Sequence, residues 1–147
     1  MTDRTATSSS YDGQLDVLVV DDSPDLRDLI SIVLTSDGVG WRVVGEAGDG
    51  EQAVAAARRT QPHLVLLDIA MPVMDGIQAL PLIVDAAPQA VVVMLSGYGA
   101  ATAGEAARAA GAHGYLEKED LVRSLVPRLR EILEDPEIAK PRTRPAR

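Results

Sequence analysis

Five short apolar runs alternate along the chain with longer segments of helical character: Val17 to Val20, Trp41 to Val44, Leu64 to Leu67, Val91 to Leu95, and Gly114 to Leu116. Strand-length runs separated by helix-length segments predict a parallel sheet with helical crossovers. The first, third and fourth runs are continuously apolar, as strands covered on both faces should be. The second carries Arg42 and leads to Glu46, and the fifth is very short, which places both at the edges.

Right-handed crossovers and chain order then predict an α/β fold, a doubly wound five-stranded parallel sheet in the order 2-1-3-4-5, the flavodoxin-like arrangement, with five helices. The first and third strands are neighbours where the winding reverses, and such sheets bind ligands in the crevice at that point. The first helix is expected from Ser23-Pro24, a hydroxyl cap followed by a proline at the first helical position, to about Ser36. Others fit Glu51 to Thr60, Ile77 to Ala86 and the alanine-rich Ala101 to Ala110, the last expected to sit loosely. The fifth shows Leu121, Leu125, Leu129 and Ile132 on one stripe, with Pro127 inside it predicting a kink or a restart.

Composition narrows the chemistry. Aromatics are only 3% of the residues, so the core must be aliphatic, and the absence of cysteine excludes disulfides, thiolate metal sites and cysteine nucleophiles. Any metal would need oxygen ligands. Residues 1–122 carry a net charge of −11 and residues 123–147 a net charge of +3. An acidic body argues against direct nucleic-acid binding. The organisation expected is a flexible polar leader over 1–14, one domain over 15–135, and a basic proline-containing tail over 136–147, extended and solvated from Ile138 to Arg147. No signal peptide or membrane-spanning run is evident, which points to a soluble cytoplasmic protein.

The candidate chemistry lies at the strand ends. Asp21 and Asp22 follow the first strand and Asp68 ends the third, bringing three carboxylates to the mouth of the crevice. That concentration of like charge suits Mg²⁺, although the Asp pair taken alone fits equally a solvated strand end before a helix N-terminus. Ser96 follows the fourth strand and Lys118 the fifth. Lys118 is one of only two lysines against 12 arginines, and a compact ammonium suits a phosphoryl oxygen.

These residues carry a resemblance. Val17-Leu18-Val19-Val20-Asp21-Asp22, the stretch from Asp68 through Met71-Pro72 to Asp75-Gly76, Ser96-Gly97, and Gly114-Tyr115-Leu116-Glu117-Lys118 are similar to the motifs of receiver domains of two-component response regulators. The similarity runs from about Asp16 to Leu133, with spacings of 46, 28 and 22 residues from Asp22 to Asp68, Ser96 and Lys118 in turn. It implies that Asp68 is the phosphoacceptor, taking a phosphoryl group from a sensor histidine kinase or phosphotransfer protein in a Mg²⁺-dependent reaction. It implies metal binding by Asp21, Asp22, Asp68 and the backbone carbonyl of Ala70, and phosphoryl binding by Ser96 and Lys118. Ser96 and Tyr115 would form the switch, Tyr115 turning inward after phosphorylation and altering the surface of the fourth helix, fifth strand and fifth helix for a downstream protein target. The protein would be no enzyme in the ordinary sense, though it would catalyse its own modification, and would be a monomer or a phosphorylation-dependent dimer. Departures from the family fall at Ala70, whose side chain cannot orient a water, and at bulky Tyr98 near the site mouth. Both are read as tuning the phosphoryl lifetime upward.

Other readings stay open at this point. The chain fits a stand-alone switch or a fragment of a DNA-binding regulator, and a receiver-like binding module that is never phosphorylated is a further possibility. A Mg²⁺-dependent aspartyl phosphatase is disfavoured because Asp68-Ile69-Ala70 lacks a second acid. Gly45, Gly48 and Gly50 do not make a dinucleotide fingerprint, and His63 and His113 lack metal-ligand spacing and are read as structural or exposed.

Overall fold

All five apolar runs become strands, paired in parallel in the order β2-β1-β3-β4-β5 that the sequence pattern predicts. The computed structural model describes residues 14–37, 40–97 and 101–139. Its strands are β1 (Leu15–Val20), β2 (Trp41–Ala47), β3 (Leu64–Asp68), β4 (Val91–Ser96) and β5 (Gly114–Glu117). The helices are α1 (Pro24–Ser36), α2 (Gly50–Thr60), α3 (Gly76–Ala86), α4 (Ala101–Ala109), α5 (Leu121–Glu134) and α6 (Pro136–Ala139), with a short 3₁₀ turn at Lys118–Asp120. No helix among the described residues is long and apolar enough to cross a membrane.

Alternation along the strands divides the core between the two faces of the sheet. Val17, Val19, Leu64, Leu66, Val93 and Leu95 pack with Ile30 and Leu34 of α1 and the leucines of α5. Leu18, Val20, Val65, Leu67, Val92 and Met94 face the other way, against a layer that is mostly alanine from α2 and α3. Helix starts are fixed locally. Ser23 accepts from the Leu26 N–H, Asp49 from the Gln52 N–H, and Asp75 forms a reciprocal capping box with Gln78.

The structure corrects three expectations. Among the described residues the short helix Pro136–Ala139 joins the five expected, and Ile138 packs against the α1/α5 side of the core, where the extended tail was expected to begin. Of the kink or restart expected at Pro127, the restart is absent: α5 is one element from Leu121 to Glu134. Pro127 is exposed, so the Arg123 carbonyl it deprives of a partner lies on the water-facing side, while the buried stripe of Leu121, Leu125, Leu129, Ile132 and Leu133 anchors the helix on both sides of it. Pro81 inside α3, also exposed, is tolerated in the same way. The histidines are structural in a specific sense. His63 Nδ1 accepts the Asp16 N–H (2.8 Å) and His113 Nδ1 the Val92 N–H (3.0 Å), each ring standing in for a strand carbonyl at the lower edge of the sheet.

Two backbone features shape the upper edge. The register between β1 and β2 slips after Val17, from Val17 opposite Val43 to Leu18 opposite Gly45, so β2 bulges at Val44. Beyond the bulge the alternation is inverted: Trp41 and Val43 face α1, Ala47 faces α2, and Glu46 is turned onto the α1 face. The second feature is a γ-turn after β3, with Val73 at φ 68° and the Met74 N–H donating to the Pro72 carbonyl (2.6 Å). A β-branched residue pays for this conformation in strain, and the Val73 side chain, 73% exposed, recovers little by packing. Val73→Gly is therefore expected to raise the unfolding free energy by about 1 kcal/mol in urea titrations, the relief of strain exceeding the added entropy of the unfolded chain.

Candidate functional site

The carboxyl ends of β1, β3, β4 and β5 bring Asp21, Asp68, Ser96 and Lys118 to one edge of the sheet. Asp21 and Asp68 are fully buried, Asp22 is exposed at the rim, and all three offer carboxylate oxygens within 4.8 Å of one another. Lys118 reaches into the pocket from the end of β5, its Nζ 2.8 Å from Asp21 Oδ2 and 3.0 Å from Asp68 Oδ1. Each carboxylate is also oriented by the backbone: the Ser23 N–H donates to Asp21 Oδ1 (2.9 Å), and the Ala70 N–H to Asp68 Oδ1 (3.3 Å).

One oxygen is left over. Among the described residues Asp68 Oδ2 is buried without a hydrogen-bond partner, an arrangement that costs stability unless something else meets it. Burial pushes the Asp68 carboxyl up to about 6, with Lys118 pulling the other way and the nearby Asp21 charge adding to the rise. Burial by itself would lower the Lys118 ammonium, but its hydrogen bonds to Asp21 and Asp68 outweigh that and raise it above the usual lysine value. The pocket thus holds a fixed cation and a buried carboxylate with one free oxygen. Its donors are all oxygens and carry excess negative charge, which is the chemistry that suits a hard divalent ion.

Ser96 is buried at the end of β4, its Oγ within hydrogen-bond distance of the Gly97 carbonyl (3.1 Å) and of the Tyr115 hydroxyl (3.2 Å). A hydroxyl has one proton, so it donates to one of them at a time. The Tyr115 ring lies against Gly104 of α4, where an added Cβ would be 3.4 Å from it. Tyr115 was expected to turn inward only after phosphorylation, yet its hydroxyl is at Ser96 here. Ala70 is exposed beside the pocket, whereas Tyr98 lies outside the described residues, as do 1–13 of the leader and 140–147 of the tail.

Residue patterns did not single out Arg27 and Glu46. Arg27 Nη1 donates to the main-chain carbonyl of Asp21 (2.6 Å) and Nε to Glu46 Oε1 (2.9 Å), directly behind the acidic pocket. The available signal was a lone cation in α1, set between Asp25 and Asp28 in an acidic stretch.

Comparison with known proteins agrees with this geometry. The protein named "Probable transcriptional regulatory protein TcrX" of Mycobacterium tuberculosis is 38% identical over 123 residues, 83% of this chain and 51% of that protein. Protein-glutamate methylesterase/protein-glutamine glutaminase 3 of Hahella chejuensis is 40% identical over 84 residues, 57% of this chain and 24% of that protein. The chain therefore spans about half the length of the first relative (51%) and a quarter of the second (24%). Among solved structures, the CheX-CheY-BeF3-Mg²⁺ complex of Borrelia burgdorferi aligns with a TM-score of 0.76 at 29% identity, covering 82% of this chain and 90% of that one. The profile of the response regulator receiver domain matches residues 17–130, and with strand order, pocket and relatives in agreement, this chain belongs to the response regulator receiver domain family.

Proposed function

We propose that this receiver domain accepts a phosphoryl group on Asp68 from a phosphohistidine of a sensor kinase or phosphotransfer protein, and that the modification alters the surface formed by α4, β5 and α5. The observation that carries this reading is the buried Asp68 carboxylate with Lys118 on Oδ1 and no partner on Oδ2. Oδ2 is free to attack phosphorus. The P–N bond to the imidazole breaks as the O–P bond forms, leaving an acyl phosphate on Asp68 and a neutral histidine on the donor once its nitrogen is protonated. Lys118 already stands between Asp21 and Asp68, where its ammonium can meet a phosphoryl oxygen without a large movement.

Asp21, Asp22 and Asp68, with the Ala70 carbonyl, are the groups that would hold Mg²⁺, and the close cluster of three carboxylates, an all-oxygen donor set with excess negative charge, supports that fit. When bound, the ion supplies positive charge to the phosphoryl oxygens in the transition state. Ser96 then exchanges its contact with Gly97 for one to the new phosphoryl group, and Tyr115 follows because its hydroxyl is within 3.2 Å of the same oxygen. A charge event at Asp68 is thereby carried to β5 and to α4, whose Gly104 lies against the tyrosine ring.

Incubation with acetyl phosphate and Mg²⁺, followed by intact mass, tests the reading: one phosphoryl adduct is expected in the natural sequence and none in Asp68→Ala. No adduct at any Mg²⁺ concentration would favour a binding module that is never phosphorylated. With alanine at position 70, whose side chain cannot orient a water, and a bulky residue type, tyrosine, at 98, the adduct is expected to persist for minutes or longer, and decay within seconds would refute that lifetime reading. A second reading, a receiver followed by a DNA-binding output domain, is favoured by the name of the first relative and by the 51% of its length that this chain spans. The open reading frame decides between them.

A further inference from the structure

Arg27 is the one basic residue of α1, and its guanidinium meets the main-chain carbonyl of Asp21 and the carboxylate of Glu46 rather than the carboxylates of the pocket. Strand β1 ends at Val20, so the Asp21 carbonyl falls outside the sheet ladder, and Pro24 at the start of α1 has no N–H to give it. Arg27 supplies that hydrogen bond at 2.6 Å, with 19% of its own side chain exposed. The other edge of its planar fork is gripped by Glu46, which the bulge in β2 has turned onto this face. The guanidinium passes beneath Gly48, where an added Cβ would be 3.5 Å from Nη1.

The consequence lies in the peptide that follows. The Asp21 carbonyl and the N–H and Cα of Asp22 share one plane, so a donor that fixes this oxygen also fixes the direction in which the Asp22 side chain leaves the chain. The Asp22 carboxylate is exposed at the rim and takes no hydrogen bond of its own among the described residues. From this geometry we infer that Arg27, held by Glu46, is a positioning residue for the Asp21-Asp22 pair: it sets the peptide plane between them, so that both carboxylates meet Mg²⁺ with little reorganisation. The inference rests on the proposed reading of the pocket as a Mg²⁺ site. Charge alone would act in the opposite sense, because a cation beside the carboxylates repels a divalent ion. Positioning and charge are therefore separable by the sign of the effect. A lysine at 27 keeps the charge but cannot serve both acceptors in a fixed plane.

The test is Mg²⁺ titration by calorimetry on the full chain, for the natural sequence, Arg27→Lys, Arg27→Gln and Glu46→Ala, with melting temperatures in EDTA to report folding. Both Arg27 substitutions are expected to weaken Mg²⁺ binding by about tenfold, the usual scale for groups that orient metal ligands. The Mg²⁺ concentration that half-saturates acetyl phosphate labelling should rise by the same factor, while the rate at saturating Mg²⁺ stays near that of the natural sequence. Glu46→Ala should shift affinity in the same direction by less. Affinities within about twofold of the natural sequence in all three, or tighter binding in Arg27→Gln, would overturn the inference and leave Arg27 as a charge or a strut. Failure of the natural sequence itself to bind Mg²⁺ would overturn the reading of the pocket and this inference with it. Should Arg27→Gln not fold, Arg27→Lys and Glu46→Ala still decide the matter.

Discussion

In EDTA at pH 7, Asp68→Asn is expected to melt higher than the natural sequence, by about 5 °C, although it removes the residue on which the function is proposed to depend. Burial raises the Asp68 carboxyl from its ordinary 3.8 to about 6. A folded-state pKa above the unfolded one means that the folded chain holds the proton more tightly, so the contribution of this group to stability is fully present below 3.8 and is lost as pH rises through about 6. At pH 7 the ionised carboxylate then costs on the order of 2 kcal/mol, which the neutral amide removes. The advantage of the variant should disappear near pH 4, and Mg²⁺ should raise the melting temperature of the natural sequence more than that of the variant. Calorimetry at the two pH values checks this, and a variant that melts lower at pH 7 would show that the buried charge is not a source of instability.

Gly76→Ala carries the largest expected loss. The first residue of α3 is pressed against the end of β3, its N–H donating to the Ile69 carbonyl at 2.8 Å. A Cβ there would lie 2.2 Å from the Asp68 carbonyl oxygen and 2.9 Å from the Ile69 Cα, both backbone atoms that cannot swing aside. Either the helix start or the strand end must move, at a cost of about 3 kcal/mol in urea denaturation, and acetyl phosphate labelling should slow because the strand end carries Asp68. Gly97→Ala is the matched control. It also lies beside the site, but among the described residues a Cβ there meets nothing within 4 Å, and its stability should stay within about 0.5 kcal/mol of the natural sequence.

Strand order, the two edge strands and the pocket were legible in the sequence for one physical reason. Buried parallel strands must be apolar throughout, so the polar residue that ends each run marks the same edge of the sheet. Asp21, Asp68 and Ser96 are such residues, Lys118 comes one place after Glu117, which ends the fifth run, and the structure brings the four together. What was not legible depended on tertiary context. Pro127 reads as a breaker when only its own helix is considered, but the leucines on either side of it hold α5 together from the core. The bulge at Val44 inserts one residue without any Gly-Gly or proline signal, and Glu46 could not be assigned to a face until the slip in register was known. The contact of the half-buried Tyr115 ring with Gly104 of α4 was likewise out of reach of the sequence pattern, because it depends on how α4 packs beside β5.

The division of the core gives the sheet a heavy side and a light side. Leucine, isoleucine and tryptophan side chains bind α1 and α5 to one face, where sliding a helix would mean repacking large, interlocked shapes. On the other, α2 and α4 present Ala53, Ala56, Ala57 and Ala107, methyl groups that lose little contact when a helix shifts by a fraction of an ångström, while α3 is held by Leu80 and Ile83. Displacement of the strand ends around Asp68 and Ser96 therefore meets unequal resistance. The leucine-packed face is the stiffer side of the sheet, and the elements that resist a displacement least are the alanine-packed α2 and α4.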